Sequence, residues 1–180
     1  MIEHIVKEIN LCMQNDSQIA ALSLALTLPD ACGKVCHPGI KGVGERYKKW
    51  IEEYVLTEEN FLANGFVPNW GNLTAEIIYS LRCCFFHEAD PTIPKKNITQ
   101  FSLIWQSTQS AARTNHEECE CEANGTKTIS IDILFLCEII CSAALKFYRE
   151  HKDQFVFQYR IISTSDQTAN AFGFSNEIKF

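Results

Sequence analysis

The amino-acid sequence predicts a mainly α protein: a bundle of four to five helices with a small β-hairpin insertion and a C-terminal strand. Three observations carry this reading. Apolar residues recur every three or four positions in several segments, the spacing of one helical face. Two further segments, within residues 19–29 and 129–148, are apolar on nearly every side, as buried helices are. Between the helical runs, residues 92 to 131 turn to a partial alternation of strand formers, with the hairpin signal Asn124-Gly125.

The first helix is read from Ile2, Ile5, Val6, Ile9 and Met13, and Asp16-Ser17 gives a break followed by an N-cap. A second helix runs from about Gln18 towards Val35. Pro29 should kink it, and Gly33 marks a tight packing point or its end. His37-Pro38-Gly39 with Gly42 and Gly44 is a loop. A third helix spans about Glu45 to Val55, with Tyr47, Trp50, Ile51 and Tyr54 on one side. Asn64-Gly65, Pro68-Asn69 and Gly71 make another loop. A fourth helix begins near Leu73 or Thr74 and ends before Pro91, because the residue preceding a proline avoids the helical region. Ile98 to Trp105 and Lys127 to Ile131 are the strands of the insertion. A long buried helix runs from about Asp132 to His151, and Phe155 to Ile162 alternates like a strand. The chain divides into a helical bundle over 1–151, carrying the β insertion around 92–131, and an extension over 152–180.

Composition bounds the function. The 180 residues are 46% hydrophobic and 21% charged, which suffices for one domain with its own core. The formal charge of -6 argues against coating duplex DNA by broad charge neutralisation, although a local anion site survives that test. No segment reaches the ~18 uninterrupted apolar residues of a membrane span. The start Met1-Ile2-Glu3-His4 lacks the basic region and apolar run of a signal peptide. A soluble, cytoplasmic protein with no membrane partner is expected. Its nine cysteines are then mostly buried thiols behaving as small apolar side chains. Cys32-x3-Cys36-His37 and Cys137-x3-Cys141 have helical spacing. His116 with Cys119 and Cys121 falls in a polar stretch, where zinc is the minor alternative. The expectation is no metal and no cofactor.

One stretch carries chemistry: Tyr79-Ser80-Leu81-Arg82-Cys83-Cys84-Phe85-Phe86-His87-Glu88. A guanidinium on a greasy helix is costly unless a partner or ligand receives it. Its permanent charge and forked donors suit a phosphate or a pentavalent phosphorus transition state. A histidine serves as base or acid near neutral pH, and the negative helix end favours its protonated form. Five residues on a regular helix place the two side chains ~140° apart with ~7.5 Å of rise. Aiming both at one atom therefore requires either the helix to end before His87 or two copies to meet across a two-fold axis.

The Arg82-x4-His87 pair near a helix end resembles the HEPN superfamily. Leu81-Arg82-Cys83, Phe86-His87-Glu88, the segment Ala21 to Asp30, Arg46-Tyr47-Lys48-Lys49-Trp50 and the late helix entered at Ile131-Asp132 are similar to a group of short bacterial HEPN-like proteins. The likeness covers most of residues 17 to 150. It implies a helical bundle, usually a homodimer, that cleaves RNA without a metal by 2′-hydroxyl attack on the neighbouring phosphate. His87 would move the proton and Arg82 would stabilise the charged transition state. A defence or toxin–antitoxin setting, with a cognate antitoxin or regulatory protein, is implied in the same way. Many members carry Asn or Asp directly after the Arg, and this chain departs from them at Cys83. Some members have lost activity and serve as binding modules.

Bland alternatives stand beside each assignment. Arg82 pairs with Asp30 or Asp132 in a structural ion pair, or Asp30 holds Arg46 instead. Glu88 orients His87 or simply faces solvent. Lys41, Arg46, Lys48 and Lys49, with Tyr47 and Trp50, guide an RNA strand and stack a base, or form a solvated helix face with an aromatic stripe.

Overall fold

The computed structural model of the protein describes residues 1–68, 73–88, 98–105, 120–123 and 126–156; at 87, 88, 98–100, 120–123, 126 and 127 it describes the backbone alone. The described residues are mainly helical with one small sheet, as the sequence predicts. Helix α1 (Ile2–Gln14) buries Ile2, Val6, Ile9 and Met13, the stripe read from its spacing. Asp16 turns the chain at φ 53, and α2 (Gln18–Ala25) follows, burying Ala21, Leu22 and Ala25. Helix α3 is Leu28–Cys36, α4 is Val43–Trp50 and α5 is Glu58–Ala63. Helix α6 is Ala75–Cys83 and α7 is Ile133–Glu150. Two π-turns, Ile51–Val55 and Cys84–Glu88, continue α4 and α6.

The single helix expected over 18–35 is two. The break falls at Leu26-Thr27 rather than as a kink at Pro29, which lies in the first turn of α3. A proline there gives up an N–H that had no intrahelical partner, so it starts the helix instead of bending one. The stretch Gln18–Cys36 is long and apolar enough to cross a membrane by length and composition, the one such stretch among the described residues. It packs as a core element, with α2 on α1 and α7, and α3 on α4 and α7. Helix α5 stands where no helix was expected. Thr57 caps it by accepting the Asn60 N–H, and Asn60, buried, donates to Val55 O at 2.9 Å and Ile139 O at 3.0 Å. Both amide hydrogens are thus satisfied inside the core, pinning α5 to α7.

The sheet has the order β1-β3-β2, with β1 Ile98–Ile104, β2 Glu120–Ala123 and β3 Thr126–Asp132. Strands β2 and β3 form the hairpin, antiparallel, with Ala123 opposite Thr126. The two residues between them, Asn124-Gly125, lie outside the described residues. Strand β1 adds to β3 in parallel, pairing Phe101 with Ile129 and Leu103 with Ile131. Asp132 closes β3 and caps α7, its Oδ1 accepting the Phe135 N–H at 2.9 Å.

The core gathers on α7, whose Phe135, Leu136, Ile139, Ile140, Ala143, Ala144 and Phe147 are all buried. Trp50 stacks on Tyr54 at 5.6 Å, and Phe147 meets both edge-on at 6.1 and 5.0 Å. Phe155 packs against Phe147 and Tyr148 just beyond the bundle. The strand expected over 155–162 falls, from residue 157 onward, outside the described residues.

Candidate functional site at the end of α6

Thr74 starts α6 by accepting the Ile77 N–H, and Ile77, Ile78 and Leu81 turn inward. Arg82 follows in the last turn, where a cation offsets the negative helix end. Across from it, Asp30 sits in the first turn of α3, where an acid offsets the positive end. The two meet. Arg82 Nε donates to Asp30 Oδ2 at 3.1 Å and Nη2 to the same oxygen at 2.9 Å. The side chains are 15% and 29% exposed, so the pair is sheltered but opens to solvent. Burial works against the guanidinium charge, yet Asp30 outweighs it and the Arg82 proton is held more tightly than usual.

The pair uses one edge of the fork, Nε and Nη2, and leaves Nη1 out of it. Asp30 Oδ1 is buried and accepts no hydrogen bond among the described residues. Aromatic rings flank the cation: the guanidinium carbon is 5.9 Å from the Tyr79 centroid and 5.9 Å from that of Phe86. Tyr79 is the residue the sequence reading missed. It precedes Arg82 by three positions, the spacing that puts two side chains on one helical face. Its ring centroid also lies 5.6 Å from Lys48 Nζ. Burial, then its hydrogen bond to Cys83, raises the Tyr79 pKa, so the ring stays a neutral phenol. Gly44 makes room for it: a Cβ there would come within 2.6 Å of Tyr79 Cζ.

The remaining predicted residues have structural partners. Tyr47 is fully buried and donates its hydroxyl to Leu26 O at 3.2 Å, closing the break between α2 and α3. Trp50 is fully buried as well. Base stacking by these two rings is therefore corrected: they sit on the inner face of α4, where no base can reach them. Arg46 Nη1 donates to Ile40 O at 2.6 Å and Lys41 O at 3.1 Å, tying down the loop before α4 instead of holding Asp30. Lys48 pairs with Glu76 at 2.8 Å, and Lys49 stands 3.9 Å from Glu53. Asp132 is the cap of α7 described above, and the ion pair of Arg82 is with Asp30.

His87 and Glu88 belong, by their backbone, to the π-turn that follows α6, and their side chains lie outside the described ones. The turn matters to the geometry. Its wider i→i+5 winding reduces the angle between positions five apart below that of a regular helix. His116, Cys119 and the turn around Gly125 lie outside the described residues.

Comparison of the chain with family models, with curated proteins and with solved structures finds no match.

Proposed function

We propose that the chain is an endoribonuclease of the HEPN type, cleaving RNA by 2′-hydroxyl attack at a cleft completed by a second copy of the chain. The observation that carries this reading is the orientation of Arg82. Asp30 holds one edge of its guanidinium, and the site opens to solvent at the end of α6. A fork held in this way loses little freedom on receiving a phosphate.

In the proposed reaction His87 accepts the 2′-hydroxyl proton while that oxygen attacks phosphorus. Arg82 balances the growing negative charge, and the 5′-oxygen leaves as it takes up a proton returned by the imidazolium so formed, producing a 2′,3′-cyclic phosphate. No metal takes part. Lys49, exposed on α4, adds weak attraction for the RNA strand, while Lys48 is already paired with Glu76. The cytoplasm, a homodimer, and a defence or toxin–antitoxin role with a cognate antitoxin or regulatory protein complete the proposal.

The test is cleavage of a labelled RNA, in chelator, by wild type, Arg82→Lys and His87→Ala. Cyclic-phosphate ends from wild type and loss of at least ~100-fold in both variants are expected, since a general base alone contributes 10²–10⁴-fold. Equal cleavage by all three proteins would remove both residues from the chemistry.

A second reading is a binding module for RNA, a nucleotide or a protein that uses the same cleft without turnover. The ion pair itself favours it: Asp30 already neutralises Arg82. Wild-type protein that binds RNA in a salt-dependent way, leaves it intact, and loses binding in Arg82→Ala would select it.

A further inference from the structure

Three side chains with no part in the Arg82 site meet where the end of α3 faces the first π-turn. Cys36 is the last residue of α3 and His37 its C-cap; Glu53 lies in the turn Ile51–Val55. The Cys36 sulfur, a His37 ring nitrogen and a Glu53 carboxylate oxygen all lie within 4.8 Å of one another. His37 Nε2 is 3.0 Å from Glu53 Oε2. The imidazole is 11% exposed, and Nε2 itself is shut off from solvent with no well-directed hydrogen bond. A nitrogen and a carboxylate oxygen this close make an ion pair or, with no proton between them, offer two ligand atoms to a cation.

We infer that Cys36 Sγ, His37 Nε2 and Glu53 Oε2 form a Zn²⁺ site that clips the end of α3 to the π-turn after α4. The distances suit it. Ligand atoms ~2.0–2.3 Å from one tetrahedral ion lie ~3.3–3.6 Å apart, so the cluster closes on the metal with shifts of about an ångström or less. The donor set is chemically apt, because one thiolate, one imidazole and one carboxylate select a borderline ion over Mg²⁺ or Ca²⁺. Binding displaces the Cys36 thiol proton to solvent and leaves a thiolate on the metal.

The surroundings support the ligands. The Tyr54 hydroxyl is 3.5 Å from Cys36 Sγ, placed to donate to the thiolate once the thiol proton has gone. Lys49 stands 3.9 Å from Glu53 Oε1, which leaves Oε2 as the single oxygen turned to the site. Three protein ligands leave a fourth position for water. Glu53 and Tyr54 also line an open groove of about 240 Å³ that runs on to Asn60, Lys146 and Glu150.

The test is titration of metal-stripped protein with Co²⁺ as a spectroscopic probe, followed by competition with Zn²⁺. Expected is one equivalent with a thiolate-to-cobalt charge-transfer band and four-coordinate d–d bands, displaced by Zn²⁺. Cys36→Ser should lose the charge-transfer band. His37→Gln and Glu53→Gln should each weaken Co²⁺ binding by at least tenfold, since even outer partners of a ligand are worth ~10–100-fold. Glu53 is 43% exposed, so its variant keeps the fold, which circular dichroism checks for all three. The chain has nine cysteines, so Cys119→Ser/Cys121→Ser serves as the control and should retain the band. Absence of the band in wild type, its survival in Cys36→Ser, or its loss in a folded Cys119→Ser/Cys121→Ser protein would overturn the site.

Discussion

The two ends of α3 make a natural contrast. They lie on one helix, with Asp30 and Cys36 six positions and ~9 Å apart. At the first turn, Asp30 faces a permanent cation from a helix 52 residues away. At the last, Cys36 and His37 face an exposed carboxylate and one another, a soft sulfur, an imidazole nitrogen and a carboxylate oxygen within 4.8 Å. The first end has reached electrical balance by folding alone. The second turns donors of three kinds together, held by the 3.0 Å contact of His37 with a Glu53 that is itself exposed. The difference separates a pair that neutralises itself within the fold from a cluster that has no permanent cation of its own.

Breaking the balanced end should have the largest effect. Arg82→Ala leaves Asp30 sheltered and without its cation, and should lower stability by about 2–4 kcal/mol in chemical denaturation, below the fully buried extreme because the pair is partly wet. Asp30→Ala should cost less, since Arg82 keeps its two aromatic neighbours. A double-mutant cycle with Asp30→Asn and Arg82→Lys gives the coupling. A value indistinguishable from zero would reduce the pair to a coincidence of packing.

The next effect acts through a neighbour. Gly44→Ala brings a methyl into the Tyr79 ring, whose Cζ would be 2.6 Å away, and should cost about 1–3 kcal/mol. Because Tyr79 flanks Arg82, the same variant should weaken RNA cleavage or binding. Gly33→Ala, whose Cβ would lie 2.9 Å from the Arg46 carbonyl oxygen, should cost a similar amount and leave RNA handling alone. If both variants affect RNA equally, Tyr79 is not the route.

Alkaline titration sharpens the contrast from the tyrosines at each end. Tyr47 and Tyr79, near Asp30, have pKa values raised first by burial. Tyr54, near Cys36, is pushed up to about 12, first by its hydrogen bond to Cys36 and then by burial. A raised folded pKa means that the native state holds the proton more tightly than the unfolded chain. The stability these phenols contribute is complete below pH 10 and falls as pH rises from 10 towards 12, while the unfolded chain ionises first. Tyrosinate absorbance followed beside circular dichroism should show all three ionising with or after the loss of structure. Ionisation of Tyr54 before unfolding would contradict its bond to Cys36.

Much of this was legible in residue types and spacing. The stripe of α1, the buried helix entered near Asp132 and the tight approach at Gly33 follow from periodicity and composition. The Asp30–Arg82 pair was one of two pairings reasoned from the cost of burying charge. Other features leave weak traces. The break at Leu26-Thr27 falls within an all-apolar run, which has no phase to interrupt. Helix α5 is too short to show a period, although Thr57 ahead of Asn60 was a readable cap. The parallel pairing of β1 with β3 is non-local, and β2 reads as a polar loop. The meeting of Cys36 with Glu53 depends on a π-turn, and a pattern with period 3.6 cannot announce a change of winding.

The smallest effect tests the far end of α3 by reactivity alone. Cys32 and Cys36 are one helical turn apart, yet Cys32 is fully buried while Cys36 is half-buried. Burial, with Cys36 adding to it, pushes the Cys32 thiol far above its ordinary range, so its reactive thiolate is almost absent. Cys141, on α7, is pushed up to about 12 by burial first, and Cys137 higher still. Alkylation of native protein with peptide mapping should therefore label Cys36 at least ~10-fold faster than Cys32, Cys137 or Cys141, and denaturant should abolish the difference. Saturating Zn²⁺ should protect Cys36 and leave the half-buried Cys12 as reactive as before, because only the first has a histidine and a carboxylate turned towards it. Equal protection of both thiols would mean that the metal binds sulfur indiscriminately, and the contrast between the two ends of the helix would then rest on Asp30 and Arg82 alone.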